Sequence, residues 1–274
     1  MIEVSNLSFK YPGQKEPVFS NFSLTLEQNK VYGLLGENGT GKSTLLYLMM
    51  GLLRPNKGHI TVEKVDVSRR KRTTLQQMYI VPEEFDLPQM RFTDYVETYR
   101  PFYPAFSDDI LRRCTEEFHL PLDARLDQLS MGDKKKALMS FALATNVPYL
   151  LMDEPTNGLD VPSKKQFRKV IATTMTEERT LIIATHQLHD VEALLDHVLI
   201  LQRSQLLLNA SVAELCEKYT FDVRPDDALT DEVLYTERTP QGNATLSLRQ
   251  PNDEETSLNL ELLFNAVTSI NIQD

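Results

Sequence analysis

The chain has 274 residues, of which 41% are hydrophobic and 25% charged, ordinary globular values with room for one large domain and a small one. Its formal net charge of −10 is unevenly placed: from Tyr219 onward there are 11 acidic and 3 basic residues, a net of −8, so the first 218 residues carry only −2. This balance disfavours a nucleic-acid partner, whose phosphates must be met by Lys and Arg, and the short basic run at 69–72 reads as a solvated face.

Cys114 and Cys216 stand far apart without metal-ligand spacing, so neither a disulfide framework nor a zinc site is expected, and a reducing compartment fits best. The opening MIEVSNLSFK has no basic segment followed by an apolar stretch, so no secretory leader is expected. The longest uncharged apolar run, 45–53, is about half of the roughly 20 residues that cross a bilayer. Direct membrane insertion is therefore not expected, and any membrane partner would be a separate polypeptide. No repeat and no low-complexity segment breaks the chain.

Taken in order, IEVSNLSF and FSLTL alternate apolar and polar residues around the turn Tyr11-Pro12-Gly13 and predict short strands. An apolar strand over 30–35 then runs into a cluster holding four of the ten glycines, Gly33, Gly36, Gly39 and Gly41, followed by the helical STLLYLMMGLL. Between 84 and about 147, Pro88, Pro101, Pro104 and Pro121 punctuate helical stretches such as TDYVETY and SDDILRRCTEEF, with Ser107 as a helix start. Two strongly apolar strands follow, YLLM (149–152) and TLIIAT (180–185), separated by the helical KKQFRKVIATTM. Strands alternating with helices imply a parallel sheet. Beyond Gln205 the pattern weakens into an acidic segment with one alternating run, 245–250, and a helix at 258–267, which suggests a small α+β appendix.

Residues 36–43, GENGTGKS, match the phosphate-binding pattern G-x-x-x-x-G-K-[ST] between a strand and a helix. Backbone N–H groups of such a loop point at phosphate oxygens, its glycines allow positive φ and close approach, and the following helix offers its N-terminal dipole. Lys42 would reach the β and γ phosphates and Ser43 would ligate Mg²⁺, with Gly36, Asn38, Gly39, Thr40, Gly41 and Thr44 completing the cradle. A phosphate loop alone says only nucleotide. The apolar strand 149–152 ends in Asp153 and Glu154, where one carboxylate can hold Mg²⁺ and the other can polarise an attacking water.

At these residues the chain resembles the nucleotide-binding subunits of ABC transporters. The family's LSGGQ signature stands here as Leu129-Ser130-Met131-Gly132-Asp133, some twenty residues before Asp153, and DEPTNGLD (153–160) matches the carboxylate strand end and the D-loop ending in Asp160. His186 falls at the family's switch-histidine position, and Tyr11 matches the aromatic residue that stacks on adenine. The resemblance covers roughly 1–217, and two departures stand out: Met131 and Asp133 replace the first glycine and the glutamine of the signature, and Glu83 in MYIVPEEFDLP replaces a glutamine that contacts Mg²⁺ and the attacking water.

The resemblance implies an α/β P-loop ATPase with a mainly parallel sheet, an N-terminal antiparallel β subdomain and a helical signature subdomain at about 84–147, followed by a small acidic accessory region, 218–274. It implies ATP and Mg²⁺ as ligands, with Glu154, His186 and Lys42 in catalysis, and Ser43, Asp153 and Glu83 at the metal. It further implies a homodimer or ABC heterodimer that sandwiches two ATP molecules, each phosphate loop facing Ser130 and Gly132 of the other copy, and a separate permease at the cytoplasmic face of the membrane. RPFYPAFS (100–107) and LSMGDKKK (129–136) are similar to the bacterial exporter branch. A soluble ABC ATPase acting on ribosomes or DNA is the alternative; this chain lacks the paired modules and long coiled coils of those members.

Overall fold

The computed structural model describes residues 1–176, 178–225, 232–251 and 253–270. Strand β1 (Ile2–Phe9) pairs antiparallel with β2 (Phe19–Leu26), Ile2 opposite Leu26. Its inward set changes parity, from Ile2 and Val4 to Leu7 and Phe9, because Asn6 takes φ 49° where the register shifts. Asparagine tolerates that left-handed conformation, and such a bulge twists the strand over the core. On its other edge β1 pairs with β4 (Lys57–Val62), which leads into the two-residue β5 (Val65–Asp66), giving the antiparallel order β2-β1-β4-β5.

The second sheet carries the chemistry. It is built from β3 (Val31–Leu35), β6 (Met78–Val81), β7 (Tyr149–Asp153), β8 (Thr180–Thr185), β9 (His197–Gln202) and β10 (Gln205–Ser211), in the order β10-β9-β3-β8-β7-β6. All neighbours are parallel except β10, which folds back antiparallel on β9. Every residue of β3, β7 and β8 is buried, the burial that a parallel sheet covered on both faces demands. On one face Tyr32 and Leu34 join Leu45, Leu46 and Leu48 and the inner side of β1 and β2; on the other Leu35, Leu150 and Ile183 meet the helical subdomain.

Helix α1 (Lys42–Met49) follows β3, and the single turn α2 (Arg72–Leu75) precedes β6. The helical subdomain holds α3 (Phe92–Tyr99), α4 (Asp108–Glu117) and α5 (Met131–Ala144). Ser107 starts α4 as expected, its hydroxyl accepting the Ile110 N–H at 3.3 Å. The rings of Tyr95, Tyr103 and Phe106 gather on Phe141 with centroids 5.1–6.1 Å apart. Helix α6 (Val161–Thr174) returns the chain to β8, and a short α7 (Leu188–Val191) comes directly after it.

After Gln205 the described residues build the expected small α+β appendix. β10 runs into α8 (Val212–Lys218), started by a reciprocal capping box between Ser211 and Glu214, and then into β11 (Tyr219–Arg224). β12 (Val233–Thr239) and β13 (Gly242–Leu248) complete an antiparallel sheet ordered β11-β13-β12, so the expected run at 245–250 starts earlier and stops sooner. Hydrophobicity concealed these strands because β12 is half-solvated, with alternate residues exposed. Helix α9 (Leu260–Ile270) buries Leu260, Leu262, Leu263, Ala266 and Val267 in the same hydrophobic cluster as Phe167, Val191 and Leu195. Among the described residues no helix is long and apolar enough to cross a membrane.

Candidate functional site

The loop from β3 to α1 is shaped by glycine where nothing else fits. A Cβ at Gly36 would stand 2.5 Å from the Leu201 carbonyl oxygen and 2.8 Å from Thr40 Oγ1, and Gly41 holds φ 102° with Val18 against it. Thr40 closes the loop by donating to the Glu37 carbonyl at 2.9 Å. Lys42 is 5% exposed; its ammonium donates to the carbonyls of Gly36 (2.7 Å) and Glu37 (3.1 Å) and lies 3.7 Å from Glu154. Burial pulls the Lys42 pKa down, while Glu154, Asp153 and Glu83 push it back up.

Opposite this lysine, β7 delivers its two carboxylates. Asp153 is 1% exposed, and neither carboxylate oxygen has a hydrogen-bond partner of normal geometry in the protein. Burial raises its pKa to about 6; Glu83 and Glu154 push the same way, and the adjacent Ser43 hydroxyl and Lys42 oppose them. An unsatisfied buried carboxylate beside a serine hydroxyl is a donor set that fits a hard divalent cation. Among the described residues no group of three His, Cys, Asp or Glu could hold a metal ion by themselves.

Glu154 is 3% exposed and adopts φ 44°, a conformation that costs a non-glycine residue on the order of 1 kcal/mol or more. The turn is held by the Glu154 N–H on the Ala184 carbonyl at 2.8 Å. Its carboxylate accepts from Thr185 Oγ1 (2.9 Å) and the His186 N–H (3.1 Å), with His186 Nδ1 at 2.8 Å. Sequence reasoning picked out His186 and missed Thr185, although both stand at the C-terminal end of β8, the edge where parallel sheets present ligand-facing groups.

A cavity of about 420 Å³ gathers these pieces: Tyr11, Asn38, Gly39, Gly41, Lys42, Ser43, Thr44, Glu83 and Glu154 share its wall. Tyr11 shares a hydrogen bond with Thr44 Oγ1 at 3.1 Å and packs edge-on against Phe9, so its ring is fixed at the cavity mouth. Glu83 is solvent-exposed on its loop, and its carboxylate accepts from Asn157 Nδ2 at 2.9 Å. Asn157 was not singled out in the sequence.

Ser130, Gly132 and Asp160 do not reach this cavity in their own chain. Ser130 caps α5, accepting the Asp133 N–H at 3.2 Å while its hydroxyl donates to Asp133 Oδ2 at 2.8 Å. Asp160 caps α6 by accepting the Ser163 N–H at 2.9 Å, and its pKa is lowered by the Ser163 hydroxyl first and by this N–H second. Gly132 lies near the Gly158 carbonyl, 3.9 Å from where its Cβ would be.

The sequence profile of the family described as ABC transporter matches residues 19–157. The cobalt import ATP-binding protein CbiO of Salmonella paratyphi A is 32% identical over 231 residues, 78% of this chain and 82% of that protein. The ABC transporter ATP-binding protein YtrB of Bacillus subtilis is 26% identical over 220 residues, 80% of this chain and 75% of that protein. A solved structure described as an ATP-binding subunit of an ABC transporter superposes with a TM-score of 0.70 at 23% identity, over 78% of this chain and 91% of that one, a likeness of fold. With its phosphate loop, paired carboxylates and matching profile, the chain belongs to the ABC transporter family, as one of its ATP-binding, ATP-hydrolysing subunits.

Proposed function

We propose that the cavity at the Gly36–Ser43 loop takes MgATP, and that two such subunits close on two nucleotides to drive a separate membrane-spanning permease at the cytoplasmic face. The observation that carries this reading is the convergence on one cavity of Lys42, Ser43, Glu83 and Glu154, with Asp153 behind them. Lys42 meets the β and γ phosphates, and the loop's N–H groups and the α1 dipole bind their remaining charge. Ser43, Asp153 and Glu83 would hold Mg²⁺, which neutralises phosphate charge when bound. Tyr11 offers its ring to adenine. Glu154, oriented by Thr185 and His186, is the general base that polarises water.

Ser130, Gly132 and Asp160, which stay clear of their own chain's cavity, are the groups a partner subunit presents to the facing nucleotide. Residues 1–217 form the ATP-binding unit, and 218–274 act as an accessory region. The permease docks in the cavity of about 730 Å³ whose wall includes Glu83, Glu84, Phe85 and Met131. The inference of export rests on RPFYPAFS and LSMGDKKK, since CbiO is named for import. Isolation of the native complex tests the whole reading: a multi-span membrane protein should accompany the chain and shield Phe85–Tyr99 from surface labelling. Recovery with ribosomes or DNA and no membrane protein would overturn it.

A further inference from the structure

Three lysines, Lys134, Lys135 and Lys136, follow the signature, and they part company in the fold. Lys136 pairs with Asp133 at 3.3 Å, whereas Lys135 is only 4% exposed. The Lys135 ammonium donates to two backbone carbonyls, Glu154 at 3.0 Å and Asn157 at 2.8 Å. Both belong to the turn between β7 and α6, the same turn in which Glu154 holds its left-handed φ. The Asn157 side chain in turn donates to Glu83. One lysine and one asparagine thus tie together α5, the turn carrying Glu154, and the loop carrying Glu83.

The charges are matched as well as the hydrogen bonds. Burial lowers the Lys135 pKa, and the attraction of Glu83, Glu154 and Asp153 opposes that shift without cancelling it. Lys42 faces the same three carboxylates from α1. A neutral donor would satisfy the two carbonyls; a buried cation adds charge balance beside a cavity to which Glu83 contributes an extra carboxylate.

We propose that Lys135 is a positioning residue for hydrolysis: it holds the Glu154 turn from behind and, through Asn157, counterbalances the Glu83 carboxylate at the edge of the phosphate cavity. The proposal rests on Glu154 being the hydrolytic carboxylate. The ammonium's hydrogen bonds go to two backbone carbonyls and Lys135 is not part of the phosphate cavity's wall, so its removal acts on turnover rather than on nucleotide affinity.

The test uses the full chain with Lys135→Gln, Glu83→Gln and the double variant, reading kcat at saturating MgATP and the affinity for a fluorescent ATP analogue without Mg²⁺. Lys135→Gln keeps N–H donors and loses the charge. Its kcat should fall about tenfold, about 1.4 kcal/mol of lost charge balance, with analogue affinity unchanged. The double variant should turn over faster than Lys135→Gln alone, a rescue that a merely structural lysine does not predict. An unchanged kcat in Lys135→Gln, or a double variant that loses the product of the two single effects, overturns the proposal. Should Lys135→Gln fail to fold, Asn157→Ala at an exposed position cuts the link to Glu83, and an unchanged kcat there overturns it equally. A wild-type chain without ATP turnover would overturn the reading of Glu154 as well; active wild type with indifferent variants overturns this inference alone.

Discussion

Asp153 is a carboxylate buried where water scarcely reaches it, and the fold bears the cost of its charge. Its pKa rises from 3.8 to about 6, chiefly through burial. For an acid whose folded pKa is raised, the stabilising contribution is fully present below about pH 4 and is lost as pH climbs through 6; the difference is about 3 kcal/mol. Asp153→Asn should therefore raise the melting temperature of the nucleotide-free protein at pH 7.5, and the gap should close toward pH 4, while Mg²⁺-dependent turnover disappears. Thermal melts of both proteins across that range check this, and a less stable variant at pH 7.5 would contradict it. The residues of the phosphate loop were legible in sequence because they act through local backbone geometry, glycines and a lysine in consecutive positions. Lys135 and Thr185 were not, because their partner Glu154 is 19 and 31 residues away and only the sheet order brings them to it.

Between elements, the least expected anchor is Arg179, 1% exposed at the entry to β8. Its guanidinium donates to the Leu143 carbonyl (2.9 Å) and Asn146 Oδ1 (2.8 Å) at the end of α5 and to the Thr174 carbonyl (3.3 Å) at the end of α6. It thereby adds a charged donor to carbonyls at two helix C-termini and favours both dipoles. Burial lowers its pKa to about 10, still charged at neutral pH. Arg179→Leu should lower stability by on the order of 3 kcal/mol in urea unfolding, because two backbone carbonyls and the Asn146 amide oxygen lose a charged donor at once. Apolar β3, β7 and β8 were readable as strands because both faces of the sheet are covered. β4, β6 and β12 were not, since they are short or partly solvated and their pairing supplies what local hydrophobicity does not.

Across the whole molecule, the acidic C-terminal region is joined to the ATP-binding body by apolar packing with a few polar contacts at its edge. α9 places its leucines in the same apolar cluster as Val191 and Leu195, just beyond His186, and His189 reaches Glu261 at 2.8 Å. A chain ending at Lys218 should still bind ATP at the Gly36 loop, yet be less stable by several kcal/mol, about 2 for each fully buried leucine removed. Loss of nucleotide binding in a truncated chain that remains folded would show that the two regions do not separate.

The central claim, that Glu154 drives hydrolysis in a nucleotide-closed dimer, meets its most direct test in Glu154→Gln. The substitution preserves shape and removes the base. Steady-state MgATP turnover should fall by roughly a hundredfold or more, while ATP binding persists and the protein accumulates as an ATP-bound dimer. Wild-type turnover in Glu154→Gln, with no trapped dimer, would contradict the account.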